Sequence, residues 1–505
     1  MAKLSINMIM AIIYKVIAMI TGLIVQYQVL THYGSDINGI SSSINQFLAY
    51  LALLEAGIGA ASIQALFKPI SNDKWEEASE IINATERQYK LIGRYFLIGV
   101  VGLSFLMPVI VSNQLDAVLV GAFTFVSGLS RVVAYSMIGK YTVVLNADQK
   151  IGVVYLIDAC TEIISCIGRL ILILCGANIV LVQFILVCST LLKAIVVRIC
   201  IRRWYENKIV KTKKVNNRAI AQRWNVLIHQ IAGMVVNHTD IALLTIFSTL
   251  KEVSVYSVYN YIYSNISSIL TMTFSNAALG TFGKKANKSQ EEFVRFYHVY
   301  ENIFFTVLFT ILTVALILTL PFIRLYTAGV TDTQYIYWYI AVLFCVIQFM
   351  NLIRIPALVT INAYGWFKET QKGAIIEAII NIVISLILIN EFGMAGLLVG
   401  TFCSYLFRTQ DIIRFVYKRC ELKWPRFIRT ILINMCISGT LIILFFVLRP
   451  VTAQNWIEWL LKAAIVTVTA LFCFALSVYL QNRKQCNTLI NNIYCKFKKK
   501  KDRGA

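Results

Sequence analysis

The sequence predicts an all-α polytopic membrane protein with about fourteen transmembrane helices, arranged as two six-helix lobes and two appended helices. Of the 505 residues, 58% are hydrophobic and only 14% are charged, a composition outside the range of soluble globular domains. Apolar runs of about 20 residues, the helix length that crosses a hydrocarbon core about 30 Å thick, follow one another almost from end to end. Basic residues are concentrated in every second connection, as expected when the loops on the cytoplasmic side carry the lysines and arginines.

Each predicted span is an apolar run bounded by polar or charged residues. In chain order the spans are residues 7–30, 40–66, 90–112, 115–138, 151–175, 179–201, 222–247, 253–280, 301–323, 335–361, 371–389, 393–416, 427–448 and 457–480. The first run contains Lys15 and shows no small-residue cleavage pattern. We therefore expect it to be an uncleaved helix and not a signal peptide.

The basic residues predict the topology. Only three of the 47 lysines and arginines, Lys251, Arg324 and Arg449, lie in the odd-numbered connections, so both termini are predicted to be cytoplasmic. The connection after span six is the most basic and divides the first twelve spans into six and six. We expect two lobes that rock about a central site. The predicted parts are an N-terminal lobe (1–205), a basic cytoplasmic linker (206–221), a C-terminal lobe (222–420), helices thirteen and fourteen (421–482) and a basic cytoplasmic tail (483–505).

Several function classes are disfavoured. The net charge is +22, and the excess lysines and arginines lie beside the spans, where they face anionic lipids. Membrane lipids are therefore expected partners, and nucleic acid is not. The twelve cysteines form no CxxC pair and the four histidines show no ligand spacing, so we expect no metal. Without a GxxxxGK[ST] loop, we expect neither ATP hydrolysis nor any cofactor. The short external connections leave no room for a catalytic loop, which weighs against an enzyme.

A few charged residues lie inside the spans. A charge at that depth costs at least about 2.5 kcal/mol and usually faces a partner or a water-filled path. The basic residues inside the spans predict a cationic interior that binds an anionic passenger. They are Lys15, Arg131, Arg169 and Arg354. Acidic residues within or near the spans are candidates for coupling transport to a cation: Glu55, Asp158, Glu162, Asp240 and Glu377.

These charges also have purely structural interpretations, which the sequence leaves open. On span five, Asp158, Glu162 and Arg169 share one helix face and could form a self-neutralising cluster that only fixes packing. Lys15 could snorkel to the cytoplasmic surface, and Lys193 is expected to do so. Asp240 could be a simple interfacial acid. A pair between Arg354 and Glu377 would be electrostatically favourable, but the sequence does not show whether they meet.

Four sequence stretches resemble Wzx-type polysaccharide flippases. Residues 55–73, EAGIGAASIQALFKPISND, are similar to the second-helix signature of that family. The other three stretches are NHTDI at 237–241, VSVYSVYN at 253–260 and YTAGVTD at 326–332. The order of these motifs and the fourteen-helix plan extend the resemblance over nearly the whole chain.

The resemblance implies membership of the multidrug/oligosaccharidyl-lipid/polysaccharide (MOP) exporter superfamily, with alternating access between two lobes. It implies that an undecaprenyl-pyrophosphate-linked oligosaccharide repeat unit passes across the bacterial cytoplasmic membrane, for capsule, O-antigen or exopolysaccharide assembly. Polysaccharide polymerase and assembly proteins are then possible partners. The family's cationic lumen matches Lys15, Arg131, Arg169 and Arg354 as residue types in plausible helices.

Three other functions remain open. A flippase for lipid II or a teichoic-type precursor is the runner-up within the same class. A cation-coupled multidrug exporter would be expected to have a net acidic interior, whereas the basic and acidic residues inside these spans are similar in number. A polytopic glycan polymerase would need an external catalytic loop. The sequence does not identify the sugars of any passenger.

Overall fold

The computed structural model describes residues 2–55, 57–205, 208, 233–234, 238–276, 278–286, 289–448, 451–481 and 483. Within these ranges the chain is almost entirely helical and has no β-strand, so the predicted all-α fold class is confirmed. Nine helical stretches of the described residues are long and apolar enough to cross a membrane. The chain is therefore a multi-pass membrane protein.

We number the described helices in chain order. They are α1 (Ala2–Leu51), α2 (Ile58–Ser71), α3 (Trp75–Ile110), α4 (Ala117–Val133), α5 (Gly139–Ala147), α6 (Ile151–Leu174), α7 (Ile179–Tyr205), α8 (His238–Phe247), α9 (Leu250–Leu270), α10 (Leu279–Ala286), α11 (Gln290–Tyr326), α12 (Trp338–Ile353), α13 (Ile355–Tyr364), α14 (Phe367–Arg419), α15 (Trp424–Ile442) and α16 (Trp456–Gln481). The helices α4, α9 and α15 each continue into a π-helical segment.

Two pairs of predicted spans are each joined into one long helix that bends at a glycine. The helix α1 covers span one and the first part of span two, up to Leu51, and bends at Gly34, where φ is 83°. The helix α14 covers spans eleven and twelve and bends at Gly393, where φ is 52°. Glycine adopts a positive φ readily because it has no Cβ atom. The bends therefore take the place of the loops that the sequence predicts.

Other predicted spans are interrupted internally. Span two contains a 3₁₀ turn, Ala52–Glu55, before Gly57 and α2, and span ten is divided at Arg354 between α12 and α13. Irregular backbone at membrane depth frees polar groups and is tolerated only inside the protein or beside a cavity. Of span seven, the part from His238 onward is described as α8. The predicted linker and tail lie outside the described residues, apart from Lys208 and Arg483.

The chain forms two compact units. Unit 1 comprises Met1–Ser257, Gly329–Thr333 and Ile389–Met394, and unit 2 comprises Val258–Ala328, Gln334–Leu388 and Ala395–Ala505. In unit 1, α1 packs against α6, α3 against α4, and both α4 and α6 against α7. In unit 2, α11 packs against α12, α15 and α16. The predicted division into lobes 1–205 and 222–420 stays a prediction.

Apolar cores hold the helices of unit 1 that carry the site described below. One core cluster includes Ile40 of α1, Phe96 of α3, Phe123 of α4, Cys166 of α6 and Val182 of α7. All of these side chains are buried. Helices in a membrane associate through close packing rather than through a difference in hydrophobicity. The shared core therefore fixes the relative positions of α1, α4, α6 and α7.

Gly39 allows the closest backbone approach in this packing. A Cβ atom at Gly39 would lie 2.0 Å from the carbonyl oxygen of Leu250 and 2.7 Å from its carbonyl carbon. A peptide group cannot rotate away as a flexible side chain can. We expect Gly39→Ala to lower the thermal unfolding midpoint of the purified protein, because overpacking costs typically about 1–3 kcal/mol. The matched control is Gly102→Ala in α3, where a Cβ atom would meet nothing within 4 Å. Equal midpoints for the two variants would contradict this account.

Candidate functional site

Arg131 and Arg169 line one polar cavity of about 310 Å³ in unit 1. The other lining residues are Ser41, Asn45, Ser127, Ser130, Ala134, Gln183, Leu186 and Thr190. They come from α1, α4, α6, α7 and the π-helical segment that follows α4. The two guanidinium groups are the only charged groups among the lining residues, so the wall of the cavity is cationic. The sequence analysis proposed both arginines for the interior, and the structure brings them together.

Arg131 lies in the last turn of α4. The helix continues directly into the π-helical segment Ala134–Ile138, and such segments are frequent at functional sites. On the same helix, the Ser127 hydroxyl donates to the Phe123 carbonyl and accepts from Gln183 Nε2 at 3.0 Å. Within the described residues Arg131 forms no ion pair. Its positive charge is thus uncompensated at the cavity wall.

Arg169, in contrast, has an acidic partner on its own helix. Its Nη2 atom lies 3.3 Å from Glu162 Oε1, and its Nε atom donates to the Ser165 carbonyl at 3.4 Å. The hydroxyl of Thr21 lies 3.5 Å from the same Glu162 oxygen. The residue spacing on span five predicted that Glu162 and Arg169 share one helix face, and the two side chains are in contact on that face.

Asp158, the other acid of that face, pairs with Lys193 of α7. Lys193 thus has a carboxylate partner on the neighbouring helix, and its snorkelling to the surface stays a prediction. Both acids of α6 are therefore neutralised by basic side chains. Arg131 is left as the excess charge of this region within the described residues.

The remaining proposed residues of unit 1 do not line the cavity. Glu55 ends the 3₁₀ turn and accepts a hydrogen bond of 2.8 Å from the hydroxyl of Tyr89. Asp240 in α8 is buried and accepts a hydrogen bond of 2.8 Å from the hydroxyl of Tyr256, so it is not a solvated interfacial acid. Lys15 is half-buried in α1 and forms no ion pair with the described residues. Their roles in coupling or binding stay predictions.

Unit 2 contains a second charged cluster, built around Glu377. Arg354 Nη1 lies 2.8 Å from Glu377 Oε1, and Arg408 Nε lies 3.5 Å from Glu377 Oε2. Arg408 also contacts Asp411 at 2.6 Å, and the Arg354 guanidinium lies 4.9 Å from the centre of the Tyr405 ring. The pair that the sequence suggested between Arg354 and Glu377 is therefore present. Two bases and two acids leave the cluster formally neutral.

Arg408 and Asp411 were missed by the sequence analysis. Both lie inside predicted span twelve, where the cost of burying a charge applies to them as it does to Arg354. That cost was the signal that could have identified them. The close approach also depends on Gly373, where a Cβ atom would lie 2.1 Å from Asp411 Oδ2 and 2.3 Å from Arg408 Nη1. The cluster therefore occupies space that a side chain at Gly373 would take.

The two sites differ in the chemistry that they can perform. A planar guanidinium group presents paired N–H donors that match the oxygens of a phosphate or carboxylate. The cavity of unit 1 offers two such groups, of which only Arg169 has an acidic partner among the described residues, so it can accept an anion. The unit 2 cluster is already balanced, because its two bases contact its two acids.

Comparison with known proteins gives structural relatives only. No protein-family profile and no curated protein sequence matches the chain. The lipid II flippase MurJ in an inward closed conformation is similar, with 14% identity and a TM-score of 0.67 over 94% of this chain and 99% of that one. An inward-facing MATE-family multidrug resistance transporter has 12% identity and a TM-score of 0.62, covering 81% of this chain and 98% of that one. The MATE multidrug transporter DinF-BH, in complex with a ligand, has 14% identity and a TM-score of 0.59, covering 83% of this chain and 95% of that one.

Proposed function

We propose, from a fold shared with MOP-superfamily transporters, that this chain is a member of that superfamily and a flippase for an anionic lipid-linked oligosaccharide. The proposed passenger is an undecaprenyl-pyrophosphate-linked repeat unit. It would cross the bacterial cytoplasmic membrane toward the external leaflet, for capsule, O-antigen or exopolysaccharide assembly. The observation that carries the proposal is the cavity of unit 1, in which Arg131 and Arg169 are the charged residues among the described residues of the wall.

The charge of the cavity favours this passenger over a cationic drug. A pyrophosphate carries at least two negative charges, and its transfer into a low-dielectric interior is very costly unless fixed positive charge compensates for it. Arg131 is unpaired within the described residues and can compensate for part of that charge directly. A cationic compound would instead be repelled by both guanidinium groups. This difference argues against the multidrug-exporter alternative.

The contact between Arg169 and Glu162 suggests how binding is coupled to an ion. Glu162 occupies the position of an anion at Arg169, where its Oε1 atom lies 3.3 Å from Nη2. A phosphate that binds Arg169 would compete with this carboxylate and release it. A released carboxylate in a low-dielectric site needs a new cationic partner, so phosphate binding would be linked to the coupling cation at Glu162. Lys15 and Arg354 would contact the passenger at later stages of alternating access.

A second candidate passenger is lipid II or a teichoic-type precursor. It is favoured by the likeness to the lipid II flippase MurJ, which extends over 94% of this chain. These precursors and the proposed passenger share an anionic phosphate head group, so the two arginines do not distinguish them. The glycan part of each molecule would distinguish the two passengers, so an experiment must choose between them.

The proposal is tested by reconstituting the purified chain in vesicles that contain one fluorescent passenger. We expect translocation of an undecaprenyl-pyrophosphate oligosaccharide, and much slower translocation of the matching undecaprenyl oligosaccharide without pyrophosphate. A proton or sodium gradient or a membrane potential should change the rate, since one charge moved across 100 mV is worth about 2.3 kcal/mol.

Protein-free vesicles give the background rate, and vesicles with a lipid II analogue test the second candidate. Transport of a cationic fluorescent dye with no movement of either lipid would favour the multidrug exporter instead. Lipid translocation that ignores all three gradients would contradict the coupling scheme while leaving the passenger assignment standing.

A further inference from the structure

The hydroxyl protons of two residues on the wall of the unit 1 cavity are already used in hydrogen bonds. Thr190 Oγ1 donates to the Leu186 carbonyl at 2.7 Å, and Ser130 Oγ donates to the Ser127 carbonyl at 2.9 Å. A carbonyl oxygen only accepts, so each hydroxyl must be the donor in its own bond. Because a hydroxyl has one proton, both oxygens are left as acceptors toward any ligand in the cavity.

The side-chain amide of Gln183 is held in one orientation. Ser127 Oγ donates its only proton to the Phe123 carbonyl at 2.7 Å, so the same oxygen can only accept from a second partner. That second partner is the Gln183 amide, at 3.0 Å. Its NH₂ group must therefore face Ser127, since the orientation of an amide follows from its hydrogen-bond network. The Gln183 Oε1 atom has no hydrogen-bond partner among the described residues, so it is available as an acceptor.

The wall therefore offers two opposite kinds of hydrogen-bonding group. Arg131 and Arg169 have only donors to give, whereas Gln183, Thr190 and Ser130 have acceptors. A pyrophosphate that links a lipid to a sugar is an ionised diester, so all of its oxygens accept. It matches the two guanidinium groups and leaves the three acceptors without a donor. A ligand that satisfies the whole wall must carry O–H or N–H groups next to its pyrophosphate.

We propose that the cavity binds the pyrophosphate together with the first sugar attached to it, and that Gln183 and Thr190 accept hydrogen bonds from that sugar. The assignment rests on the proposed function, in which the two arginines bind the pyrophosphate. Gln183, Leu186 and Thr190 share one face of α7, at spacings of three and four residues. Along this face an apolar side chain stands between two acceptors. A pyranose ring has the matching pattern, because its C–H groups are flanked by hydroxyls.

The size of the cavity limits which part of the passenger it holds. Its volume of about 310 Å³ is at the lower end of the range for ligand sites, which is about 300–1,000 Å³. This space accommodates a pyrophosphate and one sugar, but neither the long isoprenoid chain nor the rest of an oligosaccharide. The first sugar is therefore the part of the glycan that Gln183 and Thr190 distinguish, by the positions of its free O–H and N–H groups.

The test compares two soluble ligands of equal charge, each a short-chain isoprenyl pyrophosphate diester. One carries a hexose, and the other carries a methyl group in its place. Binding to the full chain in lipid nanodiscs is measured by isothermal titration calorimetry. We expect the hexose compound to bind about tenfold more tightly, the effect of one or two net hydrogen bonds. Gln183→Met keeps the length of the side chain but has only a weak sulfur acceptor, so the affinity ratio should fall to about threefold or less.

Thr190→Val should also lower the ratio, and it decides the matter if Gln183→Met does not fold. The matched control is Thr85→Val in α3, because Thr85 Oγ1 donates to the Ile81 carbonyl at 2.8 Å in the same way but does not line the cavity. This control should keep the wild-type ratio.

Equal affinities of the two compounds for the wild-type chain would overturn the sugar assignment while leaving the binding of pyrophosphate by the arginines standing. A ratio that stays at its wild-type value in both Gln183→Met and Thr190→Val would overturn it as well. If neither compound binds, the proposed function fails, and the sugar assignment fails with it.

Discussion

Arg131→Ala is expected to abolish translocation of a pyrophosphate-linked oligosaccharide while protein abundance stays near normal. Arg131 has no ion-pair partner within the described residues, so its removal leaves no acid unpaired there. In contrast, the passenger loses a charged contact in the cavity. Truncating one member of a buried, hydrogen-bonded charge pair costs about 2–5 kcal/mol, which is about a thirtyfold loss of affinity or more. The measurement is the initial translocation rate in vesicles, at a passenger concentration below saturation.

Variants at the same site sharpen this expectation. Arg131→Lys keeps the charge but not the planar fork of donors, so it should restore only part of the rate. Arg203→Ala removes an exposed arginine from the last turn of α7 and serves as the matched control for charge alone. If Arg131→Ala inserts stably and transports at the wild-type rate, the cavity is structural and the proposed passenger loses its main support.

Arg169 requires a different design because it also neutralises Glu162. Arg169→Ala alone would lower stability by leaving that carboxylate unpaired. Adding Glu162→Gln should restore the thermal unfolding midpoint without restoring binding of the pyrophosphate-linked passenger, which separates the structural role of the pair from the role of Arg169 in binding.

The sequence predicted the fold through the lengths of its apolar runs. The connection between spans one and two was expected at residues 31–39, and the bend at Gly34 lies within it. Apolar length does not distinguish a loop from a bent helix, so α1 and α14 were each divided into two spans. The π-helical segments also escaped prediction, because they depend on how neighbouring helices satisfy freed backbone groups.

The sequence predicted contacts between charged residues where both residues lie on the same helix. Glu162 and Arg169 share a face of α6, so their contact follows from helical periodicity. Asp158 and Lys193 lie on different helices, and the sequence gives no indication of which helices are neighbours. The contact between Arg354 and Glu377 was foreseen only because complementary charges at membrane depth are strongly favoured to meet.

Glu377→Gln is expected to destabilise the protein more than any other single change at the unit 2 cluster. Glu377 is contacted by Arg354 and by Arg408, and the exposed fractions of the three side chains are 7%, 9% and 6%. Removing one partner of a buried ion pair typically costs about 3–5 kcal/mol, because the other charge stays buried without compensation. Arg408 retains Asp411 at 2.6 Å, so the uncompensated charge falls mainly on Arg354.

The double variant Glu377→Gln/Arg354→Met removes that charge together with its partner. It should therefore recover much of the free energy of unfolding that Glu377→Gln loses, as measured by denaturant unfolding in detergent micelles. Strictly additive losses would contradict the coupling between the two side chains.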